Sequence, residues 1–336
     1  MISIYDIAKA ANVSAATVSR ALANSDKISL SSREKIQRIA EEMGYRPNFV
    51  ARNLRQKSTS MIGLVLDDIS DELSGFIAKG VEDEARKNGL CVLLWNIQHD
   101  PGSEKSAIQF FSSLKLDGVI FADTTLNSFD DYPDLQIPTV LINRSVDDAS
   151  PVPCVLTDDY SGAYDATQFL LKLKHRKIGY INGPMEWNAS QVRLSGYLDA
   201  LRVHEIEPCD DYITHGDWYE KSGYELAKKM LQLTDRPTAI FASSDMMASG
   251  VLDAARELGI SVPDQLSVMG YDDRQIAQYM RPRLTTISLP LYDVGATAIK
   301  VLSGLISNKG DRDRKGNEFL IKGRVIERET TRALLN

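Results

Sequence analysis

Tyr5-Asp6-Ile7-Ala8-Lys9-Ala10-Ala11-Asn12-Val13-Ser14-Ala15-Ala16-Thr17-Val18-Ser19-Arg20-Ala21-Leu22 is the stretch on which the reading of this chain turns. Ser3-x-x-Asp6 has the form of a capping box, which opens a short helix running through Ala11. Asn12-Val13-Ser14 is turn chemistry, and Ser14 is a good N-cap for a second helix, 15–23. The first helix turns Ile4, Ile7, Ala8 and Ala11 inward, and Val13, Val18 and Leu22 complete a small core. Ala15, Ala16, Thr17, Ser19 and Arg20 are left near the start of the second helix, free to meet another molecule. Ser31-x-x-Glu34 reads as a second capping box. It starts a longer helix with Ile36, Ile39, Ala40 and Met43 on one face, stopped by Gly44. Three short helices in under fifty residues make a small bundle with a helix-turn-helix inside it. Pro47 then precedes a further helical stretch, 48–56, and Lys57-Ser58-Thr59-Ser60 reads as a linker.

Charge divides the chain at the same place. Residues 1–60 carry ten Lys and Arg against five Asp and Glu, a net +5, while the whole chain of 336 residues carries −7. The remaining 276 residues therefore hold −12. A basic N-terminal segment on an acidic body is the electrostatic footprint of a nucleic-acid module carried by a body that repels DNA. A helix of this kind fits the major groove. Arg20 can bond bidentately to a guanine edge, and alanine methyls can meet thymine methyls.

Beyond residue 60 the texture changes. Continuous apolar runs of strand length stand at 62–66, 91–95, 118–121, 139–142, 177–181, 238–242, 266–270 and 285–288. Amphipathic segments such as 75–88, 162–173, 192–203, 220–233 and 246–258 separate most of them. Such alternation predicts an α/β fold with parallel sheets covered on both faces. The strands are too many for one ordinary sheet, so two lobes are expected, with ligand groups at the carboxyl ends of the strands.

In composition the chain is 43% hydrophobic and 25% charged, which excludes a disordered chain and a small disulfide scaffold. The longest apolar stretch, 61–66, is far short of the roughly 20 residues that span a bilayer, and no secretory signal is visible at the N-terminus. Cys91, Cys154 and Cys209 are widely spaced, so neither a disulfide framework nor a zinc ribbon is indicated, and a cytoplasmic location is expected. The four histidines are scattered without metal spacing, and no nucleophile elbow, Walker loop or dinucleotide fingerprint occurs. No catalytic residue, metal or cofactor is expected.

Residues 2–57 resemble the headpiece of LacI/GalR-type transcription regulators, through the pattern D-[IV]-A-x-x-A-x-V-S-x-x-T-V-S-R over Asp6–Arg20. Gly44-Tyr45-Arg46-Pro47-Asn48 and Ala51-Arg52-x-Leu54 extend it. The body continues it through Leu116-Asp117-Gly118-Val119-Ile120, Ile178-Gly179-Tyr180-Ile181-Asn182-Gly183-Pro184, Arg193-Leu194-x-Gly196-Tyr197, Ser267-Val268-Met269-Gly270-Tyr271-Asp272-Asp273 and Arg281-Pro282-x-Leu284-Thr285-Thr286-Ile287. The resemblance implies a homodimeric repressor on a pseudo-palindromic operator, with a body like that of periplasmic sugar-binding proteins. It implies a headpiece at 1–46 and a hinge helix and linker at 47–60. A first lobe would be built from 61–158 plus 290–318, and a second from 159–289 plus 319–336.

DNA contacts are implied for Tyr5, Ser14, Ala15, Ala16, Thr17, Ser19, Arg20, Asn48, Ala51, Leu54 and Arg55. Leu54 is expected to wedge a base step in the minor groove. Effector contacts are implied for Asp68, Leu73, Asn143, Arg144, Arg193, Trp218, Ser244 and Asp272. Arg193 and Asp272 pair a donor fork with an acceptor, the combination that brackets vicinal hydroxyls. A carbohydrate or sugar phosphate is the expected small-molecule effector, and a purine, a nucleoside or a phosphoprotein co-regulator is the alternative.

Two departures from the family pattern stand out. Asp71-Glu72-Leu73-Ser74 replaces the Asn-Pro-Phe-Phe often found after the first strand of the body, and Ser244 replaces a common Asn. Both put the ligand's identity in doubt. Two other classes, a transporter's solute-binding protein and a sugar-modifying enzyme, lack support from the missing signal and the missing catalytic constellation.

Overall fold

Ser3 begins the first element as its N-cap. Its Oγ and backbone N–H both engage the Asp6 carboxylate, the capping box expected from sequence, and these bonds hold the Asp6 carboxyl below the usual carboxylate range. The computed structural model describes residues 2–22, 25–45, 59–98, 100–128, 137–145, 152–307 and 318–334. The expected hinge helix, with Asn48, Ala51, Leu54 and Arg55, lies outside the described residues. The chain divides into two compact units, 1–59 and 60–336.

In the small unit, α1 (Ile4–Ala11), α2 (Ala15–Leu22) and α3 (Leu30–Glu42) close on one core of Ile7, Ala8, Ala11, Val18, Ala21, Ile36 and Ala40. Asn12 ends α1 in the left-handed conformation (φ 55°). Ser14 caps α2 by accepting from the Thr17 N–H at 3.1 Å. The third helix starts earlier than the sequence suggested. Ser29, not Ser31, is its N-cap, accepting from the Ser32 N–H at 3.4 Å, so Leu30 forms the first turn.

The large unit holds two six-stranded sheets. Its elements are β1 (Met61–Leu66), α4 (Glu72–Lys87), β2 (Cys91–Asn96), α5 (Pro101–Leu114), β3 (Gly118–Ser128), β4 (Thr139–Ser145) and β5 (Cys154–Thr157), then α6 (Asp159–Lys172), β6 (Ile178–Asn182) and α7 (Asn188–Val203). There follow β7 (Ile213–His215), α8 (Glu220–Leu231), β8 (Ala239–Ala242), α9 (Asp245–Glu257), β9 (Ser267–Asp272), α10 (Gln275–Tyr279), β10 (Thr285–Ser288), α11 (Leu291–Ser307), β11 (Glu318–Ile321) and β12 (Arg324–Ile326). The first sheet runs β11-β5-β4-β3-β1-β2 and its pairings are all parallel. The second runs β12-β10-β9-β8-β6-β7, with only the β10–β12 edge antiparallel. Strands buried on both faces explain the unbroken apolar runs.

The chain crosses between lobes three times: before α6, before α11 and before β12. The last crossing corrects the boundary expected at 318/319. The strand β11 pairs with β5 in register Glu318↔Cys154 to Ile321↔Thr157, and Phe319 and Ile321 pack on the first lobe's core, so the chain leaves that lobe only after Ile321. Helix α11 also belongs to the first lobe, where Leu291, Val294, Ala298, Ile299 and Leu302 cover Ile62, Leu64, Ile77 and Val81. Two glycines let α4 and α11 meet: a Cβ on Gly80 would lie 2.0 Å from the Tyr292 carbonyl, and one on Gly295 would lie 2.4 Å from that of Ile77.

Candidate DNA-binding and effector sites

On the headpiece, Tyr5 (69% exposed), Ser14, Ala16 and Arg20 face solvent. Ala15, Thr17 and Ser19 are half-buried, and Ala15 packs partly on the bundle core. Ser14 and Thr17 share a hydroxyl hydrogen bond of 2.9 Å at the mouth of α2, so part of their capacity holds the helix start. Arg20 is thus the exposed side chain on α2 with donors free of the cap, and a guanidinium there presents a fork suited to base or phosphate oxygens.

In the body, the ends of β5, β6, β8 and β9 gather a buried polar cluster. Arg193, on α7, is 1% exposed. Its Nε donates to Asp159 Oδ1 at 2.8 Å and one Nη donates to the Ser243 carbonyl at 2.7 Å. Its guanidinium lies 3.9 Å from the Tyr271 ring centre and 5.5 Å from that of Trp218. Burial works against the arginine's charge, but Asp159, Tyr271 and Asp272 outweigh it and its pKa is raised. Asp159 also accepts from Tyr271 Oη at 3.2 Å and Thr157 Oγ1 at 3.1 Å. Sequence reasoning missed Asp159. The signal was available, because it opens α6 directly after the end of β5, a strand the sequence reading did not pick out.

Asp272 stands at the end of β9 in an unusual conformation (φ 117°), one a non-glycine residue adopts at a cost. Burial pushes its carboxyl up to about 6 against the pull of Arg193 and Arg274. Asp245, at the start of α9 and fully buried, is also raised well above the ordinary carboxylate value, by burial and by the charge of Asp272. It accepts from Thr286 Oγ1 at 2.6 Å and the Arg274 N–H at 2.7 Å. Two carboxyls in one dry site favour the singly ionised pair.

Ser244 serves the scaffold. Its Oγ caps α9 through the Met247 N–H at 3.0 Å and donates to the Trp218 carbonyl at 2.9 Å. That bond helps hold Trp218 at φ 75°, its ring against Gly183 and edge-on to Trp187 at 6.3 Å. The buried Trp218 Nε1 and the Ser190 Oγ, one turn before Arg193 on α7, have no hydrogen-bond partner among the described residues. Buried polar atoms without partners are uncommon and mark places where another group belongs.

The first lobe uses its candidates differently. Asn143 is fully buried. It donates to the carbonyls of Asp123 (3.2 Å) and Thr124 (3.3 Å) and accepts from the Thr157 N–H (2.9 Å) and Oγ1 (3.3 Å). It clamps the ends of β3, β4 and β5. Arg144 is ion-paired to Glu104 at 2.9 Å and Asp123 at 3.0 Å beside the Phe121 ring, and burial raises the Asp123 carboxyl. Asp68 accepts from the Ser70 N–H at 2.8 Å and folds the turn after β1. Of the expected effector residues only Leu73 and Asp272 line the cavity between residues of the two lobes, which holds about 410 Å³ and is also lined by Phe76, Leu289, Tyr292 and Arg324, among others; Asp68, Asn143, Arg144, Arg193, Trp218 and Ser244 do not line it. That volume is in the range of small-molecule sites. A second depression of about 360 Å³, at Tyr160, Tyr164 and Arg202, lies on helices α6 and α7 and includes no strand end.

Residues 3–48 match the family model for bacterial regulatory proteins of the lacI family. Residues 167–331 match that for a periplasmic binding protein-like domain. The HTH-type transcriptional repressor CytR of Escherichia coli K12 is 35% identical over 335 residues, covering 99% of this chain and 97% of that protein. The chain belongs to the LacI family. Catabolite control protein A of Priestia megaterium is 33% identical over 305 residues, covering 90% of this chain and 92% of the relative. Among solved structures, the Lac repressor dimer bound to operator and the anti-inducer ONPF superposes with a TM-score of 0.81 at 27% identity, with 99% of each chain covered. The CelR–cellobiose complex gives 0.70 at 25% identity, covering 98% of this chain and 100% of that one. The α/β fold with its helical headpiece is thus that of a LacI-family DNA-binding transcription regulator, and its relatives are regulators rather than enzymes. No helix among the described residues is long and apolar enough to cross a membrane.

Proposed function

We propose that this chain represses transcription as a homodimer on a pseudo-palindromic operator. Two headpieces on one two-fold axis match a two-fold DNA site. In this reading Arg20 reads a base edge, Ala15 and Ala16 meet apolar base groups, and Leu54 in the hinge wedges a base step. A carbohydrate or sugar phosphate in the inter-lobe cleft controls the spacing of the hinges. The observation that carries the effector reading is the pair of orphaned buried polar groups near a pinned Arg193: Trp218 Nε1, whose ring centre is 5.5 Å from the guanidinium, and Ser190 Oγ on the same helix as the arginine. Donors of this kind suit the hydroxyl and ring oxygens of a sugar, and the Trp218 ring offers a flat apolar wall. The structures of the CelR–cellobiose complex and of the Lac repressor bound to ONPG give the carbohydrate class its precedent.

A thermal-shift screen against sugars, sugar phosphates, nucleosides and nucleobases tests this. A ligand at about 100 times its Kd adds roughly 2.7 kcal/mol of stability. Trp218→Phe keeps the ring and removes the N–H, so it should weaken a true cleft ligand. A nucleoside hit lost in that variant would replace the sugar reading. A hit indifferent to Trp218 would place the ligand elsewhere.

A further inference from the structure

The departure at 71–74 acquires a use in the fold. Asp71 is the N-cap of α4, accepting from the Leu73 N–H at 3.2 Å, and is thereby fixed in place at the first lobe's edge. Its Oδ1 also accepts from a guanidinium nitrogen of Arg274 at 3.0 Å, and Arg274 belongs to the second lobe. The next residue repeats the contact: Glu72 Oε1 accepts from the Gln275 N–H at 2.8 Å. Arg274 is itself held in the second lobe by Asp272 at 3.3 Å and by its own N–H on Asp245. Two consecutive acids of one lobe thus grip two consecutive residues of the other. The side chains of Arg274 and Asp71 are only 22% and 30% exposed, so water screens the pair less than it would at a free surface.

From this geometry we infer that Asp71-Glu72 and Arg274-Gln275 form a latch that closes the effector cleft by contacts the chain supplies itself. The inference concerns regulation of that cleft and rests on reading lobe closure as the regulated motion. A closed cleft is then the resting state of this repressor. An effector must spend part of its binding free energy in breaking or replacing the latch, so its apparent affinity is its intrinsic affinity multiplied by the open fraction. Anionic ligands compete with Asp71 for Arg274, and salt weakens the latch directly.

Hydrogen exchange on the full-length protein without added effector tests the latch. Asp71→Asn keeps a good N-cap and removes the charge, and Arg274→Gln removes the partner. Each variant is expected to speed exchange of the amides in 273–279 about tenfold, while those of 178–182 and 239–242, in the second sheet, keep their protection. The double variant should do no more than either single one, and 0.5 M NaCl should speed the parent but not the double variant. Unchanged exchange in both single variants, or effects that simply add, would overturn the latch. The assay contains neither DNA nor ligand, so its failure would leave the repressor and effector readings standing.

Discussion

Asp272→Asn should make the body more stable at neutral pH while harming whatever Asp272 does in the cleft. The carboxyl sits at 8% exposure with its pKa raised from 3.8 to about 6, chiefly by burial. A raised carboxyl means that ionisation is harder in the folded state than in the unfolded one. The folded state then binds the extra proton, and its stability falls as pH climbs from about 4 to about 6. Above that window the full penalty applies. At 1.36 kcal/mol for each tenfold change in acidity, it amounts to about 3 kcal/mol. Asparagine keeps the shape, tolerates the positive φ and never ionises. At pH 7.5 the variant should therefore be more stable by up to about 3 kcal/mol, or roughly 5 °C in Tm for a body of this size. The gain should shrink through pH 6 and vanish near pH 4. Urea unfolding at several pH values between 4 and 7.5 measures it. A variant less stable than the parent at pH 7.5, or a difference that ignores pH, would refute the assignment of the buried charge to Asp272.

Arg20→Ala should weaken binding to operators selected from a random DNA pool by about 1–3 kcal/mol and relax the base preference at one position in each half-site, which sequencing of the bound pool reads. Asn143→Ala strands a buried N–H and two carbonyls at the ends of three strands. It should destabilise the body by more than about 2 kcal/mol in urea, marking Asn143 as a clamp before any effect on ligand is considered. Gly80→Ala drives a methyl into the Tyr292 carbonyl and should cost about 1–3 kcal/mol in urea, or more if α4 and α11 cannot part.

Much of this architecture was legible because parallel strands are buried on both faces. Met61–Leu66 and Ala239–Ala242 betray themselves as apolar runs, and the capping box at Ser3 and Asp6 fixes the first helix to the residue. Two neighbouring strands of the first sheet were not legible. Cys154–Thr157 lies inside the edge strand Glu318–Ile321, which owes its place in the sheet to that partner 164 residues earlier. No local pattern encodes such a pairing. The cleft followed the same division. Arg193 and Asp272 stand out by their motifs, but Asp159, which orients the arginine, is an ordinary helix-opening aspartate until α7 packs beside α6. Asn143 and Arg144 lie at a strand end where ligand groups belong, yet their hydrogen-bonding capacity is drawn inward by Thr157, Glu104 and Asp123.

The second crossover, which returns the chain to the first lobe before α11, has a consequence for how the chain is made. The first lobe begins at the start of the body but borrows α11 and β11 from its far end, so the apolar face of Ile62, Leu64 and Val81 stays uncovered until the chain has emerged past residue 302. The second lobe's α6–β10 segment is continuous and lacks the edge strand β12 and the stretch after it, whose buried Thr330 bonds to β9 and β10. During synthesis the later lobe therefore approaches completion before the earlier one, and a nascent chain that has emerged only as far as Ser288 holds out a second lobe short of its last strand beside a half-covered, aggregation-prone first lobe.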